Sequence, residues 1–189
     1  SHVWTSAQDQ CATIKRQLTL LLPTSSIFLD VDDLESIDKL EEYIDVSAVI
    51  LIFVSKGYFK SGNCLREARS TVEKKKPIAL VHDSAVYLIT SMPLETIKAK
   101  ECPDDLRGPI FNGRSVIEWH RIKDFQMVSL KLLAAEMLLG CGGNTDTGPI
   151  ELFVPGEQPL QKRVLRQKVT LFASPDNPGA KAVANDLNK

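Results

Sequence analysis

The residues best suited to chemistry sit in one short stretch, Ser55-Lys-Gly-Tyr-Phe-Lys-Ser-Gly-Asn-Cys-Leu-Arg-Glu67. Ser61 is a good N-cap residue, so Cys64 and Glu67 fall in the first turns of a helix. A glutamate there commonly interacts with the helix dipole and does no chemistry. A thiol there could have a lowered pKa. No histidine lies near Cys64 in sequence, so nothing supports a cysteine hydrolase. Asp30, Asp32 and Asp33 form a second group. Three carboxylates could hold a cation, but their spacing does not match an EF-hand loop. A solvated acidic turn that caps the next helix is the plainer reading. The four cysteines (Cys11, Cys64, Cys102, Cys141) and three histidines (His2, His82, His120) are widely scattered. No CxxC pair or other metal spacing occurs, and no metal site is expected. The Gly-Cys-Gly-Gly run from Gly140 lacks a lysine and follows a helix rather than a strand, so it is no phosphate-binding P-loop.

Elements to position these residues can be read from periodicity. Residues 11–22 read as an amphipathic helix, with Cys11, Ile14, Leu18, Leu21 and Leu22 at spacings of three and four. Residues 27–29 are a short apolar run that ends at the acidic group. A helix is expected over about 36–46, with Ile37, Leu40 and Ile44 on one face. Residues 48–54 and 77–82 are continuous apolar runs, as in strands buried on both faces of a parallel sheet. Helices are expected over about 62–74, 93–100 and 123–139, the last with Phe125, Val128, Leu132, Ala135 and Leu139 as its stripe. Residues 103–114 carry Pro, Asp, Gly and Asn and read as loop, and residues 115–120 as a strand. Lys74, Lys75 and Lys76 close the helix that begins near Gly62, where the dipole favours positive charge.

Strands alternating with helices indicate an α/β domain with a parallel sheet. Ligands then bind beyond the carboxyl ends of the strands, which directs attention to the loops after Leu29, Val54 and His82. Residues 141–149 look like a linker, and residues 150–189 like the strand, turn and helix that open another α/β unit.

Length and charge narrow the function classes. The chain has 189 residues, 43% of them hydrophobic and 25% charged, which excludes wholesale disorder. Lys plus Arg is 23 and Asp plus Glu is 24, so the net charge is -1 and no basic nucleic-acid footprint exists. No apolar run approaches the roughly 20 residues that span a bilayer. No N-terminal signal peptide is read. The thiols are expected to be reduced, which points to the cytoplasm.

The stretch from residue 27 to residue 83 resembles a Toll/interleukin-1 receptor (TIR) domain, most closely the plant-like pattern. Plant-type TIR domains carry Ser-x-x-Tyr-x-x-Ser-x-Trp-Cys-Leu-x-Glu, and Ser55, Tyr58, Ser61, Cys64, Leu65 and Glu67 match it in register. The resemblance covers about residues 1–140. It implies a flavodoxin-like sheet of five parallel strands flanked by helices, followed here by the strand-turn-helix extension.

Many TIR domains hydrolyse NAD at the nicotinamide–ribose bond in signalling and innate immunity. The resemblance implies that Glu67 is the catalytic residue. It also implies that His2, Trp4 and Asp9, in the loop after the first strand, bind substrate. Asp30 and Asp33, beside Asp32 in the loop after the second strand, and Tyr58, Ser61 and Asn63, around Glu67, would bind the same substrate. NAD is then substrate rather than cofactor, and a second TIR domain is the expected partner. Alternatives are a TIR adaptor that acts only by homotypic contact, or a nucleotide sensor in a larger protein.

Three positions depart from the pattern. Asn63 stands where the family has Trp. The segment between Leu34 and Ser47 is shorter than in the family and lacks its usual Gly. The chain starts at Ser1-His2, where the family's first strand would be ending. That strand could be a short one over residues 2–6, could lie upstream, or could be supplied by residues 169–174.

Overall fold

The computed structural model describes residues 1–22, 24–33, 37–83 and 92–142, with Leu152, Thr170 and Ser174. The chain divides into two compact units, Ser1–Pro155 and Gly156–Lys189. All but two of the described residues belong to the first. The expectations for residues 141–149 and 150–189 lie mostly outside the described residues.

The first unit is mixed α/β. Strands β1 (Ile50–Val54), β2 (Ile78–His82) and β3 (Val116–Glu118) form a parallel sheet in the order β1-β2-β3. Ile52 pairs with Leu80 and Val81 with Ile117. This arrangement is compatible with a flavodoxin-like fold, and the described residues contain three strands. Alternation along the strands sends Ile50, Ile52 and Val54 to one face and Phe53 to the other. Both faces are covered, which is why β1 and β2 read as unbroken apolar runs.

One face packs under α3 (Leu40–Val46), α4 (Gly62–Glu73), α5 (Leu94–Lys100) and α6 (Asp104–Phe111). Ile44, Ala68, Ile97 and Ile110 are buried there, together with Cys64 and Cys102. The opposite face packs under α1 (Trp4–Leu21) and α7 (Lys123–Gly140). Ala7, Cys11, Ile14 and Leu18 of α1 meet Leu130, Leu133 and Ala134 of α7 there, over Trp119, and Leu152 packs against that core. Cys141, just past α7, is exposed. No helix among the described residues is long and apolar enough to cross a membrane.

Several elements differ from the periodicity. Helix α1 begins at Trp4, earlier than residue 11, so residues 2–6 form no strand. Among the described residues Ser1 alone continues the sheet: its ammonium donates to the Leu51 carbonyl at 2.7 Å, and the Phe53 N–H donates to its carbonyl at 3.0 Å. That is one parallel bridge opposite Ile52, on the edge of β1 away from β2. Of residues 169–174 only Thr170 and Ser174 are described, and neither is in a strand. Residues 27–29 form no strand, and Asp30–Asp33 make a single helical turn, α2.

Residues 104–111 are helix where loop residues suggested a loop. Leu106 and Ile110, one turn apart, bury themselves against the sheet. Pro103 precedes the first turn and Asp104 and Asp105 begin it, where negative charge suits the dipole.

Helix α7 turns a different face inward. Ser129, Leu130, Leu133 and Ala134 are buried, while Phe125, Val128, Leu132 and Leu139 of the expected stripe are exposed. Apolar residues occupy both faces of α7, so periodicity does not choose between them. Ser129 anchors the buried face: its hydroxyl donates to the Glu118 carbonyl at 2.6 Å and accepts from the His120 N–H at 3.1 Å.

Candidate active site

Glu67 stands on the second turn of α4. The helix begins as its residues require: Ser61 is extended, and its hydroxyl accepts the Cys64 N–H at 3.4 Å. The preceding turn passes through Gly57, at φ 84°, a left-handed value that glycine adopts without strain. A 3-10 turn over Tyr58–Lys60 then swings Tyr58 inward until it is fully buried.

This geometry joins Glu67 and Tyr58 through Ser1. The Ser1 hydroxyl donates to Glu67 Oε2 at 2.5 Å and lies 2.7 Å from the Tyr58 hydroxyl. A hydroxyl has one proton to give. Ser1 gives its proton to Glu67, so Tyr58 donates to Ser1, and the order is Tyr58 to Ser1 to Glu67. The Tyr58 phenol is held well above its ordinary pKa, first by burial and then by the Glu67 charge, with the Ser1 bond pulling part of the way back. It therefore keeps its proton at neutral pH. Glu67 is half-buried, and no cation forms an ion pair with it among the described residues. Such a carboxylate can meet positive charge developing on a bound molecule.

The other sequence-predicted residues divide between this cluster and a second one. His2 is buried; its Nε2 lies 2.5 Å from Gln8 Oε1, and its Nδ1 lies 3.4 Å from Asp30 Oδ1. The Trp4 indole N–H donates to Asp30 Oδ2 at 2.8 Å. Asp33 accepts the Leu29 N–H at 2.7 Å and Lys15 at 2.6 Å, and Lys15 also reaches Asp32. These side chains bind one another and dock α2 on the start of α1. The Ser61 hydroxyl is engaged as the helix cap, and Asn63 is exposed on the first turn. The two clusters are neighbours, since the Cys64 thiol donates to the His2 carbonyl at 3.3 Å.

Two clefts flank the carboxyl end of the sheet, and Glu67 lines neither. One, of about 210 Å³, runs along residues 4–10, Asp9 included, and ends at Arg121. The other, of about 10 Å³, lies among Ser6, Ser55, His82, Asp83 and Arg121. Arg121 clamps Asp83 through Nε at 2.7 Å and Nη2 at 2.6 Å. His82 donates to the Val54 carbonyl at 2.7 Å through Nδ1, so that nitrogen carries a proton. The rule for strand ends pointed to Ser55 and Asp83, but nothing in the periodicity marked Arg121. Among the described residues no three His, Cys, Asp or Glu side chains gather into a metal cage. The chain matches no protein-family model and no curated protein.

Proposed function

We propose that this chain is a TIR-type NAD hydrolase with Glu67 as its catalytic residue. The observation that carries the proposal is the Glu67 carboxylate, half-buried and oriented by the Ser1 hydroxyl beside a buried phenol. The register of Ser55, Tyr58, Ser61, Cys64, Leu65 and Glu67 supports it. In this reaction the bond from the ribose carbon to the nicotinamide nitrogen breaks, and nicotinamide leaves as a neutral molecule. Positive charge grows on the ribose, and Glu67 stabilises it until water or a group of the same nucleotide attacks. The products are nicotinamide and ADP-ribose, linear or cyclic. A second copy of the domain as partner, a cytoplasmic setting and a five-stranded flavodoxin-like sheet belong to the same proposal. The bridge made by Ser1 supports a further strand outside β1.

Nicotinamide release from NAD at high protein concentration tests this. Glu67→Gln is expected to lower the rate by about a hundredfold or more. Equal rates in the native chain and the variant would sink the assignment.

Two observations favour the adaptor reading. Ile122, Phe125, Val128, Leu132 and Leu139 give α7 and its approach an exposed apolar face, and Glu67 lines neither cleft. Absence of nicotinamide release, with self-association retained, would select that reading.

A further inference from the structure

We propose that Glu101 is a positioning residue of the Glu67 site, acting as a clamp on the turn that delivers Tyr58. This rests on the reading of Glu67 as catalytic. Glu101 caps the C-terminus of α5, and its sequence lies 44 positions from Gly57. Its side chain is 2% exposed. Oε2 accepts the Gly57 N–H at 2.8 Å. Oε1 is buried 3.2 Å from the Lys60 ammonium, outside hydrogen-bond geometry.

Of these contacts the amide bond is the fixed one. The Lys60 side chain is 69% exposed, so its charge is screened by water and its position is loosely held. A buried carboxylate is costly unless it is hydrogen-bonded, and its bond to an N–H is charge-assisted. Glu101 therefore fixes Gly57 at the one backbone position in the loop that is left-handed. Everything that follows is built on that turn. The Gly57 carbonyl accepts the N–H groups of Lys60 and Ser61, which shapes the 3-10 turn. Tyr58 is the residue after Gly57, and its hydroxyl orders Ser1 against Glu67. Ser61 ends the turn and caps the helix that carries Glu67. Movement of Gly57 by a fraction of an ångström passes to both ends of the relay.

The experiment uses the full chain and reads amide hydrogen exchange at Gly57 together with kcat and KM for nicotinamide release. Glu101→Ala is expected to speed Gly57 exchange about tenfold or more, because the part-buried N–H loses its acceptor. It is expected to lower kcat about tenfold with KM changed less than about twofold, since the carboxylate is displaced rather than the substrate lost. Glu101→Gln keeps an oxygen for the Gly57 N–H and is expected to restore both readouts to within about threefold. Lys60→Ala is expected to change neither. If Glu101→Ala does not fold, Glu101→Asp, whose shorter side chain withdraws from Gly57, carries the same expectation. Unchanged Gly57 exchange in the folded variant overturns the clamp. A kcat that falls only with the folded fraction, without rescue by Gln, overturns its positioning role. A native chain that releases no nicotinamide overturns the hydrolase reading, and the exchange data then decide the clamp alone.

Discussion

Ser1 stands between a phenol that keeps its proton and the carboxylate to which its own hydroxyl donates. Tyr58→Phe removes the donor to Ser1 and frees the serine hydroxyl to rotate away from Glu67. We expect a stability loss of about 0.5–1.5 kcal/mol in denaturant unfolding, and a lower kcat. An unchanged kcat would mean that Ser1 holds Glu67 without help. His2 makes a different prediction. Burial lowers its pKa, while the Gln8 bond and the Asp30 carboxylate offset part of that effect. The folded state thus binds fewer protons than the unfolded state just below the unperturbed value of about 6.5. Stability attributable to His2 is full above that pH and is lost as pH falls toward the depressed value. Thermal unfolding between pH 7 and pH 5 should show this slope, and His2→Gln should flatten it. An equal slope in the variant would assign the titration elsewhere. The motif singles out Glu67 in the sequence. Its partner is not marked there, because Ser1 and Glu67 are 66 positions apart and no local pattern encodes their contact.

The elements were legible where one signal dominated. β1 and β2 announced themselves as continuous apolar runs, and α4 by its Ser61 cap. α6 was obscured by Pro and Gly, although Leu106 and Ile110 carry the helical spacing. α7 is the expected element with another face inward, because apolar residues lie on both of its faces and the inward one also carries Ser129, a polar anchor that an apolar stripe does not reveal. The end of α7 carries its own constraint. A methyl group on Gly140 would lie 2.7 Å from a Val49 methyl and 3.0 Å from Pro77 Cβ. Alanine favours a helix over glycine by about 1 kcal/mol, yet this overlap forces the helix end or the strand entry to shift. Overpacking of this kind costs about 1–3 kcal/mol, so Gly140→Ala is expected to destabilise the fold. A raised midpoint in denaturant would show that Val49 yields freely.

At the scale of the whole unit, α/β class and parallel strands followed from the alternation of elements. The number of strands did not, because β1 has a free edge that a single residue, Ser1, engages among the described residues. The exposed face of α7 is the other feature at this scale, a contiguous apolar surface of the kind that marks interaction sites. Leu132 is 48% exposed on it, so Leu132→Glu should alter stability by less than about 0.5 kcal/mol and weaken any self-association seen by sedimentation. Association that survives the change would place the contact on another face. The distribution of thiols has a practical result. Cys141 is open to reagents, whereas burial pushes Cys11 up to about 12 and Cys102 up to about 11 and raises Cys64 as well. Each buried sulfur reacts only after its surroundings part. Cys11 lies on the buried side of α1, in the layer shared with α7, while Cys64 and Cys102 lie on the opposite side of the sheet. Alkylation followed over time would thus time the two layers separately, showing whether they peel from the strands one by one or come away together.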